Sequence, residues 1–327
     1  MTILVTGATG FLGSALTTEL IKQKQPVRIM VRNEQKARAQ FGEAVKVIPG
    51  EITDVEQVER AVDGASFIYH LAGRLYHPSV PSERYHYTHV EGTRIILNAC
   101  KEQKQLQRFV HCSTTGVFGV TGKTLAAENA PFAPTNPYEA TKLQGELLAL
   151  KAYEEGGLPV SVARPGLVYG PGDLHLLGYF SSIKKAMFRV IDGGDALLHP
   201  IYIDDMISAL LLCAGRSKAI GQSYNIAGEH PVTIRELSTS IAHSMDRELP
   251  KGSTPLWVAN LASDIFSIIP GINGENAPLT RSRVQFLTSS RVYNTSKAKT
   301  ELGFVPTVGL EIGIRNTVEW YRKHGYL

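Results

Sequence analysis

Thr6-Gly7-Ala8-Thr9-Gly10-Phe11-Leu12-Gly13 decides how this chain reads. Its three glycines stand at i, i+3 and i+6. They follow a short apolar run, Ile3-Leu4-Val5, and precede an amphipathic stretch from Phe11 to Ile21. Strand, glycine turn and helix in that order is the context in which such a motif binds a dinucleotide. Glycine permits the tight turn and the close approach of a pyrophosphate to the main chain. The free N–H groups at the helix start then face the anion, and the helix dipole favours it. Gly7, Gly10 and Gly13, with Phe11 and Leu12 at the helix start, are the first cofactor-binding candidates.

Working outward, apolar runs alternate with helical patterns. Strands are predicted at Thr2–Thr6, Val27–Val31, Val45–Ile48, Ser66–His70, Arg108–Cys112 and Pro159–Arg164. Helices are predicted at Phe11–Lys22, Glu34–Gln40, Val55–Val62, Ser82–Gln103 and Pro137–Glu154. The repeated βα unit implies an α/β fold, a Rossmann-type doubly wound parallel sheet covered on both faces. Ligands of such sheets bind at the carboxyl ends of the strands, near the switch in strand order. Past Pro165 the pattern turns irregular, with helices expected at Asp204–Ala214, Thr233–Met245, Lys297–Leu302 and Gly309–Arg322. Residues 1–165 therefore read as the dinucleotide-binding core. Residues 166–327 read as a mixed region with a smaller C-terminal substrate lobe and some segments returning to the core. Pro250–Ser290 is the expected substrate cover.

Composition narrows the class. The 327 residues, 43% hydrophobic and 20% charged, suit a globular protein with one large core and a smaller lobe. The net charge of +4 is spread along the chain, so no clustered basic face points to nucleic acid. Cys100, Cys112 and Cys213 lie in apolar contexts and read as buried thiols. The longest apolar run, Met206–Ala214, is far too short to span a bilayer. With no signal peptide ahead of the first strand, the expectation is a cytoplasmic protein acting on a small molecule.

Two stretches carry chemistry. Tyr138-Glu139-Ala140-Thr141-Lys142 puts a phenol and an ammonium on one helix face. An ammonium beside a phenol favours the phenolate, which would let Tyr138 exchange a proton near neutral pH. His111-Cys112-Ser113-Thr114-Thr115-Gly116-Val117-Phe118-Gly119 puts hydroxyls at a strand's carboxyl end, where one of them could bond a reacting oxygen. Here the chain resembles the extended short-chain dehydrogenase/reductase family, also called the NAD-dependent epimerase/dehydratase family. The resemblance rests on these stretches and Thr6–Gly13, on Tyr69-His70-Leu71-Ala72-Gly73 and Val90-Glu91-Gly92-Thr93, and on Arg164-Pro165-Gly166-Leu167-Val168-Tyr169-Gly170-Pro171-Gly172-Asp173. Ser296-Lys297-Ala298 through Leu302-Gly303-Phe304 completes it.

The resemblance implies Tyr138 as acid/base, Lys142 as its partner on the cofactor ribose, and Thr114 rather than Ser113 as the hydroxyl that orients the substrate. It implies Leu71, Ala72 and Gly73 under the ribose and pyrophosphate, Pro165 beside the nicotinamide, and Glu51 and Ile52 near adenine. It also implies a homodimer through the Ser82–Gln103 and Pro137–Glu154 helices. Asp54 reads as the N-cap of the next helix. His89 stands where the family often has an asparagine serving a proton relay. His86 and His89 are three apart on a helix, but no third ligand accompanies them, so no metal is expected.

The second strand ends Ile29-Met30-Val31-Arg32-Asn33 and lacks the acid that would accept from a ribose 2′-OH. Arg32 could pair with a 2′-phosphate, so NADP is preferred over NAD. Leu167 stands where sugar-nucleotide epimerases and dehydratases, the rival function, carry an asparagine. The Arg-Pro-Gly-Leu form resembles dihydroflavonol-reductase-like and hydroxysteroid-dehydrogenase-like members, and Pro278–Val284 resembles the sterol-dehydrogenase branch. Phe180, Met187, Phe188, Trp257, Phe266 and Phe286 are candidates to line an apolar pocket, core packing being their other role. The expected activity is interconversion of a secondary alcohol and a ketone. A third reading, non-catalytic dinucleotide sensing, conflicts with the intact Thr114, Tyr138 and Lys142.

Overall fold

The computed structural model describes residues 1–268 and 279–327. The first half alternates β1 (Ile3–Thr6), α1 (Phe11–Lys22), β2 (Val27–Val31), α2 (Glu34–Phe41), β3 (Lys46–Pro49), α3 (Val55–Val62) and β4 (Phe67–His70). It continues through α4 (Ser82–His86), α5 (Gly92–Lys101), β5 (Arg108–Cys112), α6 (Pro137–Gly156) and β6 (Val160–Pro165). Next come β7 (Leu167–Tyr169), α7 (Leu177–Lys184), β8 (Leu197–Leu198), β9 (Pro200–Tyr202), α8 (Ile203–Gly215) and β10 (Gln222–Ile226). The chain ends with β11 (Val232–Thr233), α9 (Ile234–His243), α10 (Leu256–Ile268), α11 (Arg281–Thr288) and α12 (Leu310–Lys323).

Seven strands form one parallel sheet in the order β10-β6-β5-β4-β1-β2-β3. The chain runs from β1 outward to β3, then restarts at β4 on the other side of β1. The crevice between the carboxyl ends of β1 and β4 is therefore the switch point where such sheets bind ligands. Every residue of β5 and β6 is buried, as expected of strands covered on both faces. One face packs Val5, Ile29 and Val110 against Leu16 of α1, Phe41 of α2 and Leu210 of α8. The other packs Leu4, Ile68 and Phe109 against Val58 of α3, Ile96 of α5 and Ala149 of α6. Each of these valine, leucine, isoleucine and phenylalanine side chains contributes about 1.5–3 kcal/mol relative to exposure. The first core runs on into the C-terminal helices through Leu237, Ile241, Val318 and Tyr321.

Local chemistry sets the helix starts. Asn33 and Asp54 cap α2 and α3, accepting from Lys36 N and Gln57 N at 2.8 and 3.0 Å, so Asp54 is the cap its position predicted. Thr233 and Glu236 form a reciprocal capping box on α9. Two expectations need correcting. The helix predicted over Ser82–Gln103 is interrupted by a π-turn, Tyr87–Glu91, between α4 and α5, and Lys297–Leu302 forms a π-turn at Ala298–Leu302 rather than an α-helix. A strand that the sequence pattern did not reveal, β10, pairs along β6.

Candidate active site

At the amino end of α1 the glycines make a tight turn against the segment after β4. Gly7 has φ +72°, and a Cβ there would lie 2.6 Å from the Leu71 carbonyl oxygen. A Cβ on Gly13 would lie 2.1 Å from the Gly7 carbonyl oxygen. Only hydrogen fits at either position, so the loop, the helix and the segment after β4 close on one another. Gly10 is the N-cap and no side chain caps α1, which leaves its first amides free to meet an anion. The Ala72 amide donates to Thr6 Oγ1 at 3.2 Å and fixes Leu71–Gly73 beside the loop. These features fit a dinucleotide pyrophosphate.

Arg32 is exposed at the end of β2. Lys36, which the sequence gave no reason to single out, reaches back to the Thr9 carbonyl at 3.2 Å. Lys36 therefore stands against the glycine loop, and Arg32 is a second cation where β2 ends. Glu51 is exposed, and its amide is held by Gln57 Oε1 at 2.8 Å. Ile52 packs against Gly92, where a Cβ would come within 2.8 Å of its side chain.

Asn136 starts α6 by accepting from the Glu139 amide at 3.0 Å, with Pro137 in the first turn. Tyr138 and Lys142 then share a face one turn apart. A Cβ on Gly145 would lie 2.4 Å from the His89 carbonyl oxygen, so this glycine lets α6 settle onto the π-turn. The three hydroxyls after β5 diverge. Ser113 donates inward to Glu146 Oε2 at 2.6 Å, and Thr115 donates to the Pro165 carbonyl at 3.0 Å. Thr114, between them, accepts from the Gly116 amide at 3.0 Å and is set against the Tyr138 phenol. Pro165 is buried at the end of β6, tied by Thr115 to the turn after β5 that Thr114 caps.

The electrostatics correct one expectation. Burial raises the Tyr138 pKa; Thr114 pulls it down, while Cys112, Glu139 and Tyr85 push it further up. Lys142 donates to the Cys112 carbonyl. Burial lowers the Lys142 pKa, against a smaller rise from Cys112 and Glu146.

Beneath the site lies a polar layer. Thr6, His70 and His111 are neighbours in register on β1, β4 and β5, and all three are buried. The His70 ring nitrogens meet Thr6 Oγ1 at 2.9 Å and Thr93 Oγ1 at 3.0 Å, whereas neither ring nitrogen of His111 has a hydrogen-bond partner. Burial, then Lys142, lowers the pKa of His70 to about 3 and that of His111 well below its usual range. Beside this layer Glu146 accepts from Arg164 Nε at 2.9 Å, and the guanidinium lies over the rings of Phe118 and Phe132 at 5.1 and 5.3 Å.

His89 faces the site through the π-turn. Its Nε2 accepts from the Arg74 amide at 3.0 Å, which puts the proton on Nδ1, 2.9 Å from Thr141 Oγ1. Its ring stands edge-on to Tyr138 at 5.6 Å. Burial, then Lys142 and His70, pushes its pKa down to about 2, so it is neutral at physiological pH. His86 faces the other way and approaches Glu91 at 3.3 Å. Among the described residues no three His, Cys, Asp or Glu side chains gather to hold a metal, and no helix is long and apolar enough to cross a membrane.

In the C-terminal region Leu167 is half-buried on β7. The proposed aromatic lining divides. Phe180 packs edge-on against Tyr321 at 5.3 Å and Phe188 against Tyr179 at 5.1 Å. Both are core residues, and Phe286 packs against the same core. Met187 and Trp257 are instead exposed, and Phe266 is partly exposed. None of these positions makes a shared apolar chamber evident. Pro278, the first residue of the sterol-type stretch, lies outside the described residues.

A family model, the NAD dependent epimerase/dehydratase family, matches residues 3–227. The chain is 29% identical to the 3beta-hydroxysteroid-dehydrogenase/decarboxylase isoform 1 of Arabidopsis thaliana, over 97% of this chain and 78% of the relative. It is 28% identical to the 4-hydroxy-2-methyl-3-oxo-4-farnesyl-3,4-dihydroquinoline-1-oxide ketoreductase of Stigmatella aurantiaca, over 96% and 95% of the two chains. In fold it is similar to the crystal structure of UDP-glucose 4-epimerase with UDP-glucose from Thermotoga maritima. That match has a TM-score of 0.80 at 23% identity, covering 99% of each chain.

Proposed function

The chain belongs to the NAD dependent epimerase/dehydratase family, and from that premise we propose that it is an NAD(P)-dependent oxidoreductase interconverting a secondary alcohol and a ketone. The observation that carries this reading is the Tyr138 phenol set against the Thr114 hydroxyl, with Lys142 one turn along α6. Tyr138 passes its hydroxyl proton to the substrate oxygen, or takes it back in the reverse direction. Thr114, which accepts from the backbone and keeps its own proton to donate, orients that oxygen. Lys142, one turn from the phenol on α6, bonds the cofactor ribose. The dinucleotide, when bound, supplies or takes up the hydride.

Gly7, Gly10 and Gly13 and the amides of Phe11 and Leu12 hold the pyrophosphate, with Leu71, Ala72 and Gly73 alongside. Glu51 and Ile52 border adenine, and Pro165 borders the nicotinamide. Arg32 together with Lys36 supports NADP as the preferred coenzyme, because one is a cation just past the end of β2 and the other reaches the glycine loop. Leu167 supports an alcohol or ketone over a nucleotide sugar, since it offers no amide to a diphosphate. The names of the dehydrogenase/decarboxylase and of the ketoreductase point the same way. The unpaired buried cysteines support a reducing, cytoplasmic setting, and a homodimer through α5 and α6 completes the reading.

Replacing Tyr138→Phe tests it. Turnover of secondary alcohols, followed by nicotinamide absorbance with both coenzymes, should fall by about 10³-fold, while coenzyme binding measured by fluorescence persists. Turnover that survives the substitution removes Tyr138 from the mechanism.

A further inference from the structure

The segment that leaves α11, residues 289–294, is gripped from two sides. From the stretch between β5 and α6, the Thr121 amide donates to the Ser290 carbonyl at 3.1 Å and the Ala126 amide donates to the Val292 carbonyl at 3.0 Å. The Val292 amide in turn donates to Thr121 Oγ1 at 2.8 Å. From the C-terminal region, the Leu197 carbonyl accepts from the Arg291 amide at 2.7 Å, and the Leu197 amide donates to Ser290 Oγ at 3.0 Å. The segment is thus a strap that joins the two halves of the chain. α11, from which it leads, packs against α10 and sends Val284 and Leu287 into the main core.

The strap carries one charge, Arg291, and that charge reaches the helix of Tyr138. Arg291 Nη1 donates to Glu139 Oε1 at 2.7 Å and Nη2 donates to Thr135 Oγ1 at 3.2 Å. Glu139 Oε2 accepts from the Thr135 amide and hydroxyl at 2.7 and 2.8 Å. Glu139 is only 5% exposed. Its side chain closes over the turn that Thr114 caps, where a Cβ on Gly116 would come within 3.0 Å of Glu139 Cγ. Glu139 is also the residue next to Tyr138 in the first turn of α6. One carboxylate therefore touches the elements that carry both Tyr138 and Thr114. A carboxylate buried this far is costly without its cation, and the cation comes from the strap, 152 residues further along the chain.

We propose that Arg291 is a positioning residue for proton transfer: by clamping Glu139 it holds the first turn of α6, and with it Tyr138, against Thr114, so that the site is complete only when the strap behind α11 is seated. The proposal rests on the oxidoreductase reading above and deepens it. Arg291 acts through Glu139 and not on the substrate. Its planar fork binds Glu139 and Thr135 together, a geometry that a lysine point charge reproduces only in part. A displacement of about 1 Å at a reacting group is enough to cost about a hundredfold in rate.

The test compares the wild type with R291M, R291K, E139A and the double variant E139A/R291M. Turnover is followed on whichever of 2-decanol, cyclohexanol and 1-phenylethanol the wild type oxidises fastest. R291M should lower kcat by about thirtyfold with the coenzyme KM unchanged, and R291K should restore part of it. In the E139A background the same change should cost less than about twofold, because the partner is already gone. Losses that multiply in the double variant, a loss carried by the coenzyme KM, or an R291K as slow as R291M overturns the proposal. Turnover of no secondary alcohol at all overturns the oxidoreductase reading instead. Hydrogen exchange, which needs no turnover, then decides the clamp separately. R291M should speed exchange by about tenfold over residues 136–142 and leave 160–165 unchanged. If R291M does not fold, E139A and R291K replace it, and both should speed exchange over 136–142, R291K the less. Unchanged exchange over 136–142, or a rise spread evenly over the protein, overturns the clamp.

Discussion

Acidifying the protein from about pH 7.5 to about pH 5.5 tests the polar layer beneath the site, because an unfolded chain binds protons there that the folded one refuses. Histidine in an unfolded chain titrates near ~6.5. In the folded protein His70 is held at about 3 and His89 at about 2, and His111 lies well below its usual range. The sign follows from these depressed values. Above ~6.5 both states are neutral and nothing is lost; as the pH falls below ~6.5 only the unfolded state gains protons, so stability declines until the folded values are reached.

One unit below the unfolded pKa, each imidazole removes about 1.4 kcal/mol. The three together remove about 4 kcal/mol, a large share of a typical stability of about 5–15 kcal/mol. His199, also lowered chiefly by burial, acts in the same direction. Asp173, raised by burial, acts in the opposite one. Urea unfolding at the two pH values, followed by circular dichroism, measures the loss. A His111→Leu variant should show a shallower pH dependence by about one proton. A loss below about 1 kcal/mol in the wild type, or an unchanged slope in the variant, would refute the claim that these rings are buried neutral.

Glu146→Ala strands Arg164 in the interior and should cost about 3–5 kcal/mol. The double change Glu146→Met with Arg164→Met should cost less than the single one, and thermal unfolding ranks them. Removing charge by Arg32→Ala or Lys36→Ala should raise the KM for NADP by about tenfold and leave that for NAD nearly unchanged. Steady-state kinetics with both coenzymes checks this, and an equal effect on the two coenzymes contradicts the assignment.

The glycine loop and the alternating first half were legible because each rests on neighbours in sequence. A glycine spacing, an Asp54 cap and the Tyr138–Lys142 interval all act within one or two turns. What escaped depends on distant partners. β10 carries Ser223 and Asn225 at buried positions, so its pattern does not look like a core strand. Asn225 is accommodated because its amide side chain donates to the Ala126 and Asn294 carbonyls and its backbone N–H meets Glu128. The π-turn at Tyr87–Glu91 was hidden for another reason. An extra residue in one turn leaves the apolar spacing on both sides intact, while it redirects His89 towards Tyr138. Lys36 gains meaning only when the loop after β1 is brought beside it. Phe180 and Phe188 took the core role of the two that the sequence left open, since hydrophobicity alone does not distinguish a cavity wall from a filled interior.

The edge position of β10 bears on how the molecule is made. When the ribosome has released only the first 165 residues, β6 already exists but its outer rim of amides and carbonyls has no mate. That rim stays open to stray pairing until some sixty more residues, through Ile226, have cleared the exit tunnel. Synthesis thus passes through an interval in which the nascent sheet is nearly whole and still adhesive, and a pause in translation within that window should favour aggregation more than a pause on either side of it.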